Sequence, residues 1–289
     1  MARLYVVATP IGNLSDMSDR VRETLAECDL IAAEDTRVTM KLLNVLGISK
    51  PMTSCHQHNE VGKAQGLVER MIREDLKVAL TCDAGTPGIS DPGGPVVEAA
   101  WENGVEVVPV CGPSAVVTAL SASGFDTREF AFYGFLPREK KELRDKLEAI
   151  LRAGVPVAVL YESPHRVVKL VEEIVSALPG VRMLVCCDLT KRYEKLLRGE
   201  GEAVLRALRE NPNVEKGEYC LVLDLHQVPQ PQAPQADIGA SELILQRMME
   251  GESLDQAARS AMDQCSRNEV YRAKLKVRTF LERYLEEEE

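Results

Sequence analysis

A loop rich in glycine and carboxylates, "DAGTPGISDPGG" over residues 83–94, follows an apolar run that ends at Cys82. Its glycines let the backbone approach a ligand closely or adopt positive φ angles. The loop has no lysine, and its two carboxylates would repel a phosphate. Asp83 and Asp91 therefore predict a ligand with hydroxyl groups, an amine or a positive charge. Asp91 also has a second interpretation, as the N-cap of the next helix with Pro92 as its first residue.

Two further polar clusters precede this loop. The segment "AAEDTR" places Glu34, Asp35 and Arg37 just past an apolar run. These residues either form a polar cluster in a cleft or simply cap the next helix. The earlier turn "TPIGNLSD", which contains Ile11, is either a ligand-facing turn or an ordinary connection. It lacks the GxGxxG spacing of a dinucleotide site.

The segment "CHQHNE" concentrates His56, His58, Asn59 and Glu60 without any apolar period. Two histidines spaced as HxH, without a clear third ligand, make a weak metal site. A polar loop facing a substrate is the favoured interpretation.

Three later segments have the same mixture of polar residues and turn signals. "ESPHR" places Glu162, His165 and Arg166 in a turn between a strand and a helix. Ser114, in "GPSA", is either an ordinary helix cap or part of a ligand site. The segment 188–199, "DLTKRYEKLLRG", is either a solvated basic face or a phosphate contact.

The elements that must position these residues follow from periodicity. In the first 110 residues, short apolar runs alternate with amphipathic helical patterns, which predicts parallel βαβ units. Ligands of such α/β sheets bind beyond the carboxyl ends of the strands. The loops described above follow predicted strands, so their side chains should meet at one edge. The predicted strands cover residues 4–9, 30–35, 77–82 and 105–110.

The second half predicts another α/β domain and a helical module. Its strands are predicted at residues 156–162, 182–190 and 217–225, with a helix over 164–178. A segment rich in proline and glutamine then predicts a linker. The predicted domains are an N-terminal α/β domain (1–111), a C-terminal α/β domain (112–227), a linker (228–239) and a helix-turn-helix-like module (240–285).

Bulk properties exclude several classes of protein. The chain has 289 residues, 45% hydrophobic composition and a net charge of −10. An acidic chain without an apolar run of about 18 residues predicts a soluble, cytoplasmic protein rather than a membrane protein or a general nucleic-acid coat. The eight cysteines form no CxxC pair and predict buried, reduced thiols, with no metal site.

One segment opposes the acidic average. Residues 267–283 contain six basic and two acidic side chains on a predicted C-terminal helix. Such a helix, after a short helix pair, is typical of a helix-turn-helix reader of RNA or DNA. A solvated amphipathic helix explains the same pattern equally well.

The ordered set of motifs resembles a known family. "TPIGNLSDMSDR", "AAEDTR", "HQHNE", "DAGTPGISDPG", "GPSA", "GFLPR", "ESPHR", "LTK" and "KGEY" follow one another as in the tetrapyrrole-methylase superfamily. Within it, the chain is most similar to the branch that methylates cytidine 2′-hydroxyls of bacterial small-subunit ribosomal RNA. The resemblance covers about residues 3–225. It implies a class III methyltransferase fold, in which two α/β domains enclose S-adenosylmethionine (SAM), and a homodimer.

The resemblance also implies which residues bind the cofactor. The contacts divide between the two predicted domains, and all are assigned by matching motifs. They are Ile11, Asp83, Gly85, Thr86, Ile89, Ser114, Ala115, Tyr161, Leu189 and Gly217.

The implied reaction moves the methyl group of SAM to a ribose 2′-hydroxyl of a cytidine in 16S ribosomal RNA, and it requires no metal. Asp35, Glu60 and His165 are the candidate catalytic bases. The candidate RNA contacts are Arg37, His56, His58, Asn59, Arg138 and Arg166. Two alternatives stay open at this point: a methyltransferase for a small tetrapyrrole precursor, and a SAM-sensing nucleic-acid binder without catalysis.

Overall fold

The computed structural model describes residues 1–57, 59–229 and 239–286. The chain divides into two compact units, Met1–Pro229 and Gln230–Glu289. Most of the predicted linker, residues 228–239, lies outside the described residues. Among the described residues, no helix is long and apolar enough to cross a membrane.

The first sheet is entirely parallel, as the alternation of strands and helices predicts. Its strand order is β3-β2-β4-β1-β5, so β1 and β4 are neighbours although about 70 residues separate them. Four of the strands match predicted apolar runs, whereas the short β3 was not predicted. The strands are β1 (Arg3–Val7), β2 (Leu30–Ala33), β3 (Met52–Ser54), β4 (Lys77–Thr81) and β5 (Glu106–Val110).

The helices of this half cover the sheet with apolar faces. Val21 and Leu25 are fully buried at a spacing of four residues, which places them on one face of the first helix. Ser18 caps that helix by accepting a hydrogen bond from the Val21 N–H at 3.3 Å. The helices are α1 (Asp19–Glu27), α2 (Thr36–Leu46), α3 (Glu60–Glu74) and α4 (Gly94–Glu102).

The second sheet is mixed, with strand order β6-β7-β10-β8-β9. Only β6 and β7 are parallel; β10 runs antiparallel to both of its neighbours. The prediction placed no strand over the polar segment that forms β9. The strands are β6 (Ala131–Phe135), β7 (Val157–Glu162), β8 (Arg182–Cys187), β9 (Lys195–Glu200) and β10 (Tyr219–Asp224).

The core of the second sheet lies on its three interior strands, β7, β10 and β8. Leu160 in β7 and Leu221 in β10 pair directly across the ladder, and both are fully buried. The helices packed around this sheet are α5 (Ala115–Ser123), α6 (Lys140–Arg152), α7 (Val167–Ala177) and α8 (Gly201–Arg209).

In the described part of the C-terminal unit, residues 239–286, the chain forms three helices, α9 (Ala240–Met249), α10 (Leu254–Ala261) and α11 (Arg267–Glu286). These helices confirm the predicted C-terminal helix that follows a short helix pair. Ser253 and Gln256 form a capping box at the start of α10. The small core of the unit includes Val270 and Val277 on the inner face of α11.

The prediction that the cysteines are buried, reduced thiols is only partly confirmed. All eight are free thiols, and five are buried, but Cys111 is exposed. Burial raises the pKa of Cys28 and of Cys55 to about 11, which keeps both thiols protonated and unreactive at neutral pH.

The packing around Leu160 generates a stability prediction. Replacing Leu160 with alanine should lower the free energy of unfolding by about 2–5 kcal/mol, because a cavity forms in the centre of the second sheet. Urea denaturation measures the loss. The matched control is Leu196→Ala in the edge strand of the same sheet, where the side chain is 44% exposed. This control should cost about 1 kcal/mol or less; equal losses for both variants would contradict the assigned core.

Candidate active site

In each of the two sheets, strand ends on one side open into a common cleft of about 410 Å³. The first sheet contributes the loops that follow the carboxyl ends of β1, β2 and β4. In the second sheet, the end of β7 and the start of β10 lie side by side, because Glu162 pairs with Tyr219. The end of β8 joins them, because Cys187 pairs with the same residue. Loops distant in the sequence therefore form one pocket.

A short backbone pairing joins the first turn to the glycine-rich loop. Thr9 donates its N–H to the Gly85 carbonyl at 2.8 Å, and Gly85 donates to the Thr9 carbonyl at 3.1 Å. The buried Thr9 hydroxyl donates to the Cys82 carbonyl at 3.1 Å. Ile11 and Gly85 therefore lie together at the cleft, as expected for loops that follow strands of one parallel sheet.

The glycine-rich loop uses left-handed backbone conformations. Gly85, Gly88 and Gly93 have φ angles of 92°, 81° and 127°, while Gly94 already belongs to α4. Ser90 also has a positive φ of 62°, which is costly for a residue with a side chain. Ser90 lines the cleft, so this strained position lies at the site itself.

Three carboxylates, Glu34, Asp83 and Asp91, line the first wall of the cleft. Two are linked through the backbone: Asp83 donates its N–H to Glu34 Oε2 at 3.1 Å, and Asp83 Oδ1 accepts from the Asp35 N–H at 3.1 Å. Burial, followed by the charge of Glu34, raises the pKa of Asp91 to about 6. Burial likewise raises the pKa of Glu34 and of Asp83. Such a cluster favours a positively charged ligand.

Asp91 does not cap the following helix, so that interpretation of the sequence is wrong. The helix α4 begins at Gly94, and its N-cap is Gly93. The Gly93 N–H instead donates to Glu60 Oε2 at 2.6 Å. The Glu60 carboxylate therefore satisfies the start of this helix from a neighbouring element, and Asp91 is left facing the cleft.

The second wall combines aromatic rings with a buried carboxylate. Glu162 is only 2% exposed. Its Oε1 accepts the Ser163 N–H at 2.7 Å, and its Oε2 lies 3.1 Å from the Arg166 guanidinium, outside hydrogen-bond geometry. The ring of Tyr161 packs against that of Phe135, with centroids 5.8 Å apart. This wall therefore presents flat apolar surface beside one incompletely satisfied acceptor.

The loop after β8 forms a salt-bridged cluster of Asp188 and Lys191 with Glu218, here called the Lys191 bracket. Asp188 and Thr190 both have positive φ angles, 52° and 64°. Lys191 donates to Asp188 Oδ1 at 2.8 Å and to Glu218 Oε2 at 2.9 Å. A Cβ on Gly12 would lie 2.4 Å from the Lys191 side chain. The lysine stem therefore covers the turn after β1 and joins the two walls.

Nine of the ten predicted cofactor residues line the cleft. Gly217 is the exception: it does not face the cleft, but a Cβ there would lie 2.4 Å from an Asp188 carboxylate oxygen. The structure thus places Gly217 in support of the loop after β8. The nine residues on the cleft are Ile11, Asp83, Gly85, Thr86, Ile89, Ser114, Ala115, Tyr161 and Leu189.

The three predicted catalytic bases lie outside the cleft lining. Asp35 caps α2 by accepting the Arg37 N–H at 2.8 Å, and its side chain also pairs with the Arg37 guanidinium. Glu60 holds the start of α4, as described above. His165 is exposed in the turn before α7.

The predicted RNA contacts occupy several different environments. His56 and Asn59 hydrogen-bond each other through the His56 N–H and the Asn59 side chain at 2.9 Å. Arg166 is half-buried and donates to the Leu136 and Pro137 carbonyls, both at 3.2 Å. Arg37 and Arg138 are exposed. His58 lies outside the described residues.

Sequence reasoning missed part of the second wall. Phe135, Glu218, Tyr219 and Cys220 line the cleft, although none was predicted there. Phe135 lies in the motif "GFLPR", and Glu218 and Tyr219 lie in "KGEY", but only their position at strand ends indicates that they face a cleft. The mixed order of the second sheet, which the sequence did not predict, decides which strand ends meet the first sheet.

Fold and site together define a two-sheet methyltransferase of the class whose family model, tetrapyrrole (corrin/porphyrin) methylases, matches residues 3–205. The chain belongs to this family. It is 44% identical over 221 residues to ribosomal RNA small subunit methyltransferase I of Halalkalibacterium halodurans, covering 76% of this chain and 75% of the relative. The Synechocystis protein of the same name is 37% identical over 280 residues, covering 96% and 99%.

Solved structures resemble the fold at low sequence identity. Diphthine synthase aligns with a TM-score of 0.58 at 14% identity, covering 78% of this chain and 91% of that one. Uroporphyrin-III C-methyltransferase from Thermus thermophilus, solved with S-adenosyl homocysteine, aligns with a TM-score of 0.52 at 17% identity. That alignment covers 77% of this chain and 97% of the other. These likenesses support the fold assignment.

The raised pKa of Asp91 generates a pH-dependent stability prediction. Because this pKa is about 6 in the folded protein and 3.8 ordinarily, the ionised side chain lowers the stability of the fold above about pH 6. Below about pH 3.8 the Asp91 side chain is neutral in both the folded and the unfolded chain, so this loss of stability is absent. Asp91→Asn should therefore raise the free energy of unfolding at neutral pH and lose this advantage near pH 4. Urea denaturation at both pH values measures the change.

Asp126→Asn is the control with the opposite sign. Hydrogen bonds from Arg128 lower the pKa of Asp126 to about 2, so its ionised form is the favoured one. This variant should lose stability at neutral pH rather than gain it. A pH-independent effect of Asp91→Asn would show that its carboxylate is not desolvated.

Proposed function

We propose that this protein transfers the methyl group of S-adenosylmethionine to the 2′-hydroxyl of a cytidine ribose in small-subunit (16S) ribosomal RNA. The observation that supports this most strongly is a carboxylate-lined cleft at the strand ends of a chain so similar to ribosomal RNA methyltransferases. We further propose, from the family resemblance, that the protein is cytoplasmic and acts as a homodimer on ribosomal RNA or a ribosomal subunit.

The chemistry of the cleft fits the cofactor. SAM has a sulfonium, an ammonium and ribose hydroxyls but no phosphate. No lysine or arginine is among the described residues that line the cleft, whereas five carboxylates are: Glu34, Asp83 and Asp91 on the first wall, and Glu162 and Glu218 on the second. The cation would lie toward Asp83 and Glu34. Its apolar parts would contact Ile11, Leu189 and Tyr161, and the backbone near Ser114 would complete the site.

When bound, the cofactor supplies an activated methyl group. The protein must align the ribose hydroxyl with that group and exclude water, for which the aromatic wall and the strained loop at Ser90 provide a fixed frame. Holding the reactants in line contributes up to roughly 7–11 kcal/mol toward the barrier. A base that accepts the hydroxyl proton contributes about 10²–10⁴-fold.

Asp91 is the base that we propose. It faces the cleft, and its pKa of about 6 leaves it ionised at neutral pH while still basic enough to accept a proton. Asp35 and Glu60 then act as positioning residues, since Asp35 holds Asp83 through its N–H and Glu60 holds Gly93. His165, exposed beside the cleft residue Pro164, remains the alternative base.

The RNA would approach over the exposed residues near the cleft. Arg138 and Arg37 are exposed and suited to phosphates, and the loop containing His56 and Asn59 is suited to the nucleotide itself. Arg166 is committed to the Leu136 and Pro137 carbonyls, so we propose that it shapes the RNA-binding surface rather than contacting phosphate.

Methyl transfer from labelled SAM tests the function directly. We expect incorporation into small ribosomal subunits, recovered as 2′-O-methylcytidine after digestion, and no incorporation into uroporphyrinogen. Asp83→Ala should weaken SAM binding, measured by calorimetry, about tenfold or more because one carboxylate of the cation site is lost. Label in uroporphyrinogen alone would favour a tetrapyrrole substrate. SAM binding without any transfer would favour a sensor.

The assignment of the base predicts a separation of binding from turnover. Asp91→Asn should lower kcat about 10²–10⁴-fold while SAM affinity changes much less. Single-turnover kinetics with small subunits measure both quantities. His165→Gln and Glu60→Gln are the comparison variants. If either one loses activity to that extent while Asp91→Asn keeps it, the base is not Asp91.

A further inference from the structure

A second concave surface lies entirely within the C-terminal unit. Residues of α10 and α11 enclose a groove of about 560 Å³, here called the α10–α11 groove. Asp255 and Arg259 of α10 and Met262, the C-cap of that helix, line one side, and Arg267, Tyr271 and Lys274 line it from α11. On each helix these positions are spaced i, i+4 and i+7, so each set forms one continuous helical stripe.

The charges along the groove do not cancel. Lys274 pairs with Asp255 at 2.5 Å, which neutralises one residue of each sign. The side chains of Arg259 and Arg267 form no hydrogen bond or ion pair with any residue in the described part of the chain. Arg278 and Arg259 also lie close enough to help Lys274 lower the pKa of Asp255. The groove is therefore positive although the chain has a net charge of −10.

An exposed aromatic ring lies among these cations. Tyr271 is 65% exposed and lines the groove, whereas Phe280, an exposed ring elsewhere on α11, does not. Arg267 precedes it by four residues and Lys274 follows it by three, so both flank it on the same helical face. Asn268, which has an amide with two donors and an acceptor, also lines the groove.

We propose that the α10–α11 groove binds a short single-stranded segment of RNA, with a base stacked on Tyr271 and the adjacent phosphates on Arg259 and Arg267. Exposed aromatic rings beside arginines are how proteins bind single-stranded nucleic acid without reading duplex grooves. The inference rests on the proposed function, since a ribosomal RNA substrate supplies such a segment. An acidic protein segment would satisfy the arginines but gives no purpose to the exposed ring.

The full-length protein and a fluorescent single-stranded RNA of about 12 nucleotides test the proposal by anisotropy. Tyr271→Ala should weaken binding about 5- to 150-fold, the loss expected for one stacked base. Tyr271→Phe keeps the ring and should bind nearly as the wild type does. If Tyr271→Ala leaves the affinity unchanged, or if the phenylalanine variant loses as much as the alanine variant, stacking is overturned.

The salt dependence of binding tests the arginines. Arg259→Gln and Arg267→Gln should each reduce the slope of log affinity against log salt by about 0.7, the value for one phosphate contact on a single strand. Arg272→Gln is the matched control, because Arg272 is exposed on the same helix but does not line the groove. An equal reduction of the slope for Arg272→Gln would mean that the RNA is attracted to the whole basic surface of α11, and it would overturn the proposed binding in the groove.

Two comparisons separate this inference from its rivals and from the proposed function. An acidic peptide that binds with Tyr271-dependent affinity equal to that of the RNA would overturn the RNA assignment in favour of a protein partner. Methyl transfer by the wild-type protein is measured in parallel. Transfer to small subunits without Tyr271-dependent RNA binding refutes only the proposal that the α10–α11 groove binds RNA. Tyr271-dependent RNA binding without transfer refutes only the proposed function.

Discussion

The cleft depends on the short backbone pairing between Thr9 and Gly85. These residues follow neighbouring parallel strands, and their two hydrogen bonds fix the first turn against the glycine-rich loop. Because Gly85 is held in a left-handed conformation, the chain on either side of it directs Asp83 and Asp91 into the same space. The Thr9 hydroxyl, buried and bonded to the Cys82 carbonyl, ties this pairing to the end of β4.

The electrostatics of the cleft follow from that arrangement. Partial burial and, secondarily, the charges of neighbouring carboxylates raise the pKa of each of the three carboxylates on the first wall, Glu34, Asp83 and Asp91. The fold tolerates this because backbone N–H groups satisfy part of the cluster. A site that is costly when empty and carboxylate-rich is suited to a cation, which removes the cost on binding. The α10–α11 groove, in contrast, is lined by three basic side chains and one acidic side chain, so this acidic chain also has a surface of positive charge.

The two walls are held together by Lys191. Its stem lies over Gly12 in the first wall, and its ammonium bridges Asp188 and Glu218 in the second. Glycine is required at 12 and at 217 because a Cβ at either position would collide with a side chain of this bracket. The motifs around these glycines therefore help to hold the two walls of the cleft together, in addition to any contact with a ligand.

The sequence by itself determined the parallel first sheet, the three C-terminal helices and the loops that form the first wall. Those features depend on local periodicity and on the rule that parallel strands gather their carboxyl ends. Only the tertiary structure decided that Asp91 faces the cleft while Glu60 satisfies the start of α4, and that Asp35 lies outside the cleft while Glu34 lines it. It alone placed β9, a polar edge strand, and brought Tyr219 between Glu162 and Cys187. The physical reason is that strand order and hydrogen bonds between distant loops select which neighbouring side chain faces inward, and local patterns do not encode that choice.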